Sequence, residues 1–181
     1  MYYVNVVISS LVLGFGFSTL IACLLLLRKG EKWSRILNEY MTTAMLIIKW
    51  VGLMVIALWL INLVLGLDSM AIAGRATGPY AWAYWMMALG LPVCSQLLWI
   101  RRVRASVIAR VIIALGCIFT SGVFFEEFVI LSTTIHRDES FRNADVLRIG
   151  MTYFTRIASF AGLVWLVQSV MARRKLNYNN N

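Results

Sequence analysis

The chain has 181 residues, of which 61% are hydrophobic, and its mean hydropathy is +0.78. A soluble domain is typically about half apolar, so this composition excludes an ordinary soluble protein. Lysine and arginine outnumber aspartate and glutamate by 17 to 8, which gives a net charge of +9. Because the basic residues cluster at the ends of apolar segments, they indicate membrane topology and no nucleic-acid partner.

Long uncharged stretches predict an all-α, polytopic protein of the lipid bilayer. Residues 1–27, 50–67 and 76–100 contain no charged side chain, and a helix needs about 20 mainly apolar residues to cross a membrane. We expect one transmembrane domain over residues 1–175, folded as a four-helix bundle plus one flanking helix, and a mobile tail over 176–181. The five predicted transmembrane helices cover residues 4–27, 41–66, 79–100, 107–134 and 149–171.

The basic residues of the connections predict an orientation. One side of the membrane receives the connections after the first, third and fifth helices, and the other side receives few or mixed charges. The basic clusters are Arg28, Lys29, Lys32 and Arg35; then Arg101, Arg102 and Arg104; then Arg173, Arg174 and Lys175. An excess of basic residues marks the cytoplasmic side, so the N-terminus is predicted outside and the C-terminus inside.

The first helix carries small residues that permit close packing. Gly14, Gly16 and Ser18 lie on it, and Gly122 occurs in the fourth helix. Small residues let helix backbones approach each other closely in a membrane. The sequence leaves open whether this contact is made within the chain or with a partner.

Lys49 is the ionisable residue of the second helix, and it lies in the inner half. Charged side chains at membrane depth are costly, so each is a functional hypothesis. The other interpretation is that the long lysine side chain snorkels to the inner interface.

Aromatic side chains crowd the third helix. Its outer end holds Tyr80, Trp82, Tyr84 and Trp85, and its inner end holds Trp99. Such residues are typical of interfacial aromatic belts, and the competing interpretation is that one of them stacks on a ligand. Pro92 lies inside this helix and removes a backbone hydrogen bond, which predicts a kink.

Glu126 and Glu127 are adjacent in an apolar part of the fourth helix, and Arg156 is predicted at a similar depth in the fifth. A carboxylate and a guanidinium at one depth can form an ion pair, and we name Glu127 and Arg156 as its candidates. Neighbouring residues point about 100° apart around a helix, so the other glutamate faces elsewhere. The sequence leaves open which glutamate is unpaired, so Glu126 and Glu127 are both candidates for a proton path. The unpaired one either reaches the interface or a neighbouring helix, or it stays protonated in low dielectric and belongs to such a path.

The sequence predicts neither a metal site nor a redox cofactor bound by this chain alone. His136 is the single histidine and, like Asp138, is expected at the interface just past the fourth helix. One histidine cannot supply two axial ligands to a membrane haem. Cys23, Cys94 and Cys117 lie in three different helices, so we expect no iron–sulfur cluster and no disulfide framework.

Two stretches resemble the NrfD/PsrC-type membrane subunits, most closely the ActC/ActF-type subunits of bacterial alternative complex III. Residues 76–104 read ATGPYAWAYWMMALGLPVCSQLLWIRRVR, and residues 124–138 read FFEEFVILSTTIHRD. The family patterns are G-P-Y-x-W-x-Y-W, then Q-L-L-W followed by basic residues, then E-R-F-V-I with H-R-D. The matching positions are Gly78, Pro79, Tyr80, Trp82, Tyr84, Trp85, Gln96, Leu97, Leu98, Trp99, Glu126, Phe128, Val129, Ile130, His136, Arg137 and Asp138.

The chain departs from this family in two ways. Members usually have eight to ten helices in two bundles, so the chain resembles the C-terminal half only. Glu127 stands where the family has arginine, and Arg156 stands near a family acidic position, as if an ion pair were swapped. By the same resemblance, Glu126 is the retained carboxylate.

The resemblance implies a non-catalytic subunit of a quinone-linked respiratory electron-transfer complex in a bacterial inner membrane. Family quinone sites lie mainly in the first bundle, so quinone is expected only at an interface with partners, which would be other membrane subunits and cytochrome or iron–sulfur subunits. Scaffolding and part of a proton path are the expected roles. The alternatives are a half-length quinone-binding subunit completed by a partner chain, and a small accessory or transport protein with no redox partner.

Overall fold

The structure, a computed structural model, describes residues 2–28, 31–65, 76–78, 81–121, 124 and 143–179. Within these residues the chain is helical and has no strand, which confirms the all-α prediction. The described helices are α1 (Tyr2–Arg28), α2 (Glu31–Leu65), α3 (Ala81–Leu97), α4 (Arg101–Ala105), α5 (Val107–Thr120) and α6 (Asn143–Asn179).

Three of the described helices are long and apolar enough to cross a membrane. The qualifying segments are Val6–Leu26 in α1, Trp33–Leu65 in α2 and Leu147–Arg173 in α6. Helix α5 is a shorter apolar helix of 14 residues, and α3 has 17. These lengths support a membrane protein, whereas five crossings and the predicted orientation stay predictions.

Helices α2 and α6 extend beyond their predicted limits. Helix α2 begins at Glu31, ten residues before the predicted boundary at 41, and α6 runs from Asn143 to Asn179. In the polar start of α2, Arg35 Nε lies 3.2 Å from Glu39 Oε1, one helical turn away. Hydropathy marks where a helix leaves lipid, and such local pairs allow the helix to continue into water. Residues 176–179, which were predicted to belong to a mobile tail, are part of α6.

A short basic segment connects α3 to α5. Helix α3 contains Pro92 and is followed by a turn over residues 98–100, the five-residue helix α4 and Ser106. The Ser106 hydroxyl accepts a hydrogen bond from the backbone N–H of Ala109, 3.3 Å away, and so caps the first turn of α5. This cap confirms the predicted start of a helix at 107.

Helix α1 is the centre of the packing. Of its apolar segment, 56% is buried within the protein, against 33% for α2 and 11% for α6. Helices α1, α2, α3 and α5 contact one another in that order around a ring, and α6 packs outside the ring against α1 and α2. The largest fully buried side chains include Phe15, Met41, Ile48, Leu98 and Phe160.

Gly14 and Gly16 allow neighbouring helices to reach the backbone of α1. A Cβ at Gly14 would lie 2.5 Å from Phe160 Cβ and 2.7 Å from the Arg156 carbonyl oxygen of α6. A Cβ at Gly16 would lie 2.5 Å from Ile118 Cγ1 of α5. These two glycines therefore serve contacts within the chain, which the sequence had left open.

We expect Gly14→Ala and Gly16→Ala to destabilise the protein by about 1–3 kcal/mol, because the new methyl group overpacks a backbone contact. That cost exceeds the helix-propensity gain of about 1 kcal/mol. Gly162→Ala is the matched control, since nothing lies within 4 Å of its Cβ position. Unfolding in mixed micelles, followed by tryptophan fluorescence against SDS fraction, measures the change. Equal stability of the Gly14 and Gly162 variants would contradict the close approach.

Candidate functional site

Two of the predicted intramembrane site residues, Lys49 and Arg156, are among those that the structure describes. Glu126, Glu127, His136 and Asp138 lie outside the described residues, as do Pro79 and Tyr80 of the first motif. The proton path and the ion pair of Glu127 with Arg156 therefore stay predictions. The described site consists of the two cations and the helices that hold them.

Arg156 lies where α6 meets α1. Its backbone carbonyl faces Gly14, and its guanidinium carbon lies 5.6 Å from the ring centroid of Tyr153. Tyr153 in turn makes an edge-to-face contact with Phe17 of α1, at 5.5 Å between ring centroids. The half-buried guanidinium therefore lies beside two aromatic rings, and the face of such a ring attracts a cation.

The Arg156 side chain extends toward the N-terminal end of α6. Tyr153 is three residues earlier, and long helical side chains normally point in this direction. That end of α6 follows the connection from the predicted fourth helix, which carries Glu127.

Lys49 is buried at the contact between α2 and the end of α3. Its side chain is only 6% exposed, and Nζ lies 4.3 Å from the centroid of the Trp99 ring. Trp99 also packs edge-to-face on Trp50, with centroids 6.2 Å apart. The attraction between an ammonium and an indole face is worth about 1–2 kcal/mol when water is excluded.

The Q-L-L-W stretch supplies the α3 side of this contact. Leu98 is fully buried, and a Cβ at Gly52 of α2 would collide with the Ser95 hydroxyl, so the two helices touch closely there. The Gln96 amide donates a 3.3 Å hydrogen bond to the Ser95 hydroxyl. In this chain, then, the motif residues pack α3 against α2.

The outer end of α3 is tied to the segment that precedes it. The Trp85 indole N–H donates a 3.2 Å hydrogen bond to the carbonyl of Ala76, and Tyr84 packs edge-to-face on Trp85 at 5.4 Å. Trp82 is 62% exposed. Exposed rings whose polar N–H finds a backbone partner suit an interfacial aromatic belt, so these contacts favour the belt over a stacking site.

Cys94 and Cys117 come together between α3 and α5, which the sequence analysis did not anticipate. Cys94 Sγ lies against the backbone of α5 next to Cys117, because a Cβ at Gly116 would be only 2.7 Å from it. Both are free thiols, as is Cys23, whose Sγ lies 3.8 Å from Met41 Sδ. The sequence could have predicted this proximity. Cys94 and Cys117 are nearly the same number of residues from Ser106, so two antiparallel helices joined there place them at one depth. Among the described residues, no three His, Cys, Asp or Glu side chains form a metal-binding group.

Comparison with protein-family models, with curated proteins and with solved structures finds no match to this chain.

We expect a zero-length oxidant, copper phenanthroline, to join Cys94 to Cys117 in the membrane, because Cys94 Sγ lies against α5 at Gly116, the residue before Cys117. Peptide mapping by mass spectrometry after blocking free thiols identifies the pair. Cys94→Ser and Cys117→Ser should each abolish the product, whereas Cys23→Ser should leave it unchanged. A product that depends on Cys23 would show that α3 and α5 are not packed as described.

Proposed function

We propose that this chain is a non-catalytic membrane subunit of a quinone-linked respiratory electron-transfer complex. The observation that carries the proposal is the ordered set of motifs in residues 76–104 and 124–138, which resemble NrfD/PsrC-type subunits. Three long apolar helices support a place within the bilayer. In such a complex the chain scaffolds larger membrane subunits, and electron transfer takes place on its partners.

The packing of the motif residues supports a scaffolding role. Gln96 and Trp99 lie where α3 contacts α2, with Lys49 over the Trp99 ring. A motif that fixes the contact between two helices shapes the bundle that partners recognise. Quinone would then bind at an interface completed by a partner subunit.

The finer parts of the proposal concern topology and protons. Five transmembrane helices would cross a bacterial inner membrane with the N-terminus outside and the C-terminus inside. Glu126 would carry protons on a path through the outer half, and Glu127 would pair with Arg156. The orientation of the Arg156 side chain toward the start of α6 supports this pairing.

Purification of a tagged native copy in mild detergent tests the proposal. We expect large membrane subunits and cytochrome or iron–sulfur proteins to accompany the chain in stoichiometric amounts, identified by mass spectrometry. An unrelated tagged polytopic protein of the same membrane, solubilised in parallel, is the control for carry-over. A lone homo-oligomer, with quinol-dependent respiration unchanged on deletion, would overturn the proposal and favour an accessory or transport protein.

The same purification separates scaffold from half-subunit. A single NrfD-like partner that supplies only the missing first bundle, with quinone bound when both are present, would favour the half-length quinone-binding subunit. A partner that already contains both bundles favours the scaffold.

A charge swap tests the ion pair of Glu127 with Arg156. Glu127→Arg and Arg156→Glu should each lower the yield of assembled protein several-fold, because a buried charge without its partner costs about 3–5 kcal/mol. The double variant should recover assembly, measured by native gel of detergent extracts. Arg148→Glu on α6, at an exposed position, controls for charge reversal. A double variant no better than the single variants would remove the pair from the proposal.

A further inference from the structure

A cavity of about 600 Å³ opens between α2 and α6, at the end of the bundle where α2 begins. At its deeper end the Gln168 amide donates a 3.3 Å hydrogen bond to the Thr43 hydroxyl and so joins the two helices. Cavities of about 300–1,000 Å³ accommodate small ligands. We call this cavity the α2–α6 groove, and its lining residues are Arg35, Asn38, Glu39, Thr42, Thr43, Gln168, Met171 and Ala172.

The α2–α6 groove lies where both helices leave the apolar layer. The apolar stretch of α2 begins at about residue 41, between Glu39 and Thr42, and that of α6 ends at about residue 171. Along α2 the groove extends from Thr43 to Arg35, which is eight residues or about 12 Å. The headgroup layer of a bilayer is about 5–8 Å thick on each side. The groove therefore crosses the level at which lipid headgroups lie.

The lining of the groove contains one positive and one negative side chain. Arg35 Nε lies 3.2 Å from Glu39 Oε1, and the two side chains are 85% and 63% exposed. This contact uses one nitrogen and one oxygen, so the two Nη groups of Arg35 and Oε2 of Glu39 remain available to a ligand. Glu39 would repel a simple anion, and Arg35 would repel a simple cation. A zwitterion satisfies both charges.

A phospholipid with a primary ammonium group is the zwitterion that fits this pair. Its phosphate accepts two parallel hydrogen bonds from a guanidinium such as that of Arg35. Its ammonium has three N–H donors, one of which can reach the Glu39 carboxylate. The trimethylammonium group of a choline lipid has no N–H to donate. The chemistry of the groove therefore favours ethanolamine over choline.

The surface that continues from the groove into the membrane is apolar. Leu46 follows Thr42 by four residues, and Val167 precedes Met171 by four, so each lies one turn deeper on the same helix face. Leu46 and Val167 are both partly exposed. An acyl chain can lie on this surface while its headgroup occupies the groove.

We propose that the α2–α6 groove binds the headgroup of phosphatidylethanolamine. The phosphate accepts hydrogen bonds from the Nη groups of Arg35, and the ammonium donates one to Glu39 Oε2. The acyl chains run inward past Leu46 and Val167. Because α6 packs outside the ring of α1, α2, α3 and α5, the bound lipid would help to hold α6 against α2. This site is independent of the proposed respiratory role.

The test measures lipid retention by the full chain in nanodiscs. The discs contain phosphatidylcholine with a rising fraction of phosphatidylethanolamine of the same acyl chains, and native mass spectrometry counts each lipid that stays bound. Both lipids have no net charge, so a general attraction to the basic chain cannot separate them. The site variants are Glu39→Gln and Arg35→Gln.

Each site variant has a matched control. Glu31→Gln makes the same change as Glu39→Gln on the same helix, eight residues or about 12 Å farther from the membrane. Arg101→Gln removes a positive charge from an exposed position on α4. Circular dichroism and size-exclusion chromatography verify that every variant is folded. If Arg35→Gln does not fold, Glu39→Gln and its control still test the site.

We expect the wild type and both controls to retain phosphatidylethanolamine in preference to phosphatidylcholine. Glu39→Gln should lower this preference at least about threefold, because a hydrogen bond between two charged groups is lost. Arg35→Gln should lower the retention of both lipids, because both carry the phosphate. This difference between the two variants assigns the ammonium to Glu39 and the phosphate to Arg35.

Three outcomes would overturn the proposal. One is equal retention of the two lipids by the wild type, which would leave the groove to a polypeptide partner. Another is an equal loss of preference in Glu39→Gln and Glu31→Gln, which would show an effect of charge alone. The third is displacement of the bound lipid by phosphoethanolamine at millimolar concentration, which would assign the groove to a soluble zwitterion.

Discussion

The close approach of neighbouring helices to the backbone of α1 at Gly14 and Gly16 is the constraint on which this bundle depends. Between helices in lipid there is little hydrophobic driving force, so association relies on close van der Waals packing. Residues two apart on a helix face nearly opposite sides, because each step turns about 100°. Gly14 therefore admits α6 on one side of α1, and Gly16 admits α5 on the other. With α1 held between them, α2 and α3 complete the ring that buries Lys49.

Local properties of the sequence predicted many of the helices, whereas most contacts between helices could not be predicted from it. Uncharged runs identified the apolar helices, and the apolar segment after Ser106 identified the start of α5 correctly. The polar beginning of α2 was missed because hydropathy reports contact with lipid, whereas helix continuation depends on local pairs such as Arg35 with Glu39. Neither the Lys49–Trp99 contact nor the thiol pair follows from one helix alone. Four of the six candidate site residues lie outside the part of the chain that the structure describes.

The evidence about function is of two kinds, the order of the motif residues and the contacts of the two cations, Lys49 and Arg156. The resemblance to respiratory subunits rests on residue types in order, and a fold of packed helices would accommodate many roles. The contacts of Arg156 and Lys49 rest on geometry: each lies beside an aromatic ring at a contact with another helix. These contacts support a chain that presents a shaped surface within the membrane.

The unbroken course of α2 has a mechanical consequence. Its 35 residues span about 52 Å, whereas the hydrocarbon core of a bilayer is about 30 Å thick, so the polar turns around Arg35 and Glu39 project beyond that core. No irregular residue separates these turns from Lys49 and Trp50. A soluble protein that bound the projecting turns would bind one end of a continuous, stiff helix. Any rotation that it imposed would be transmitted, without an intervening hinge, to Trp50 and its contact with Trp99.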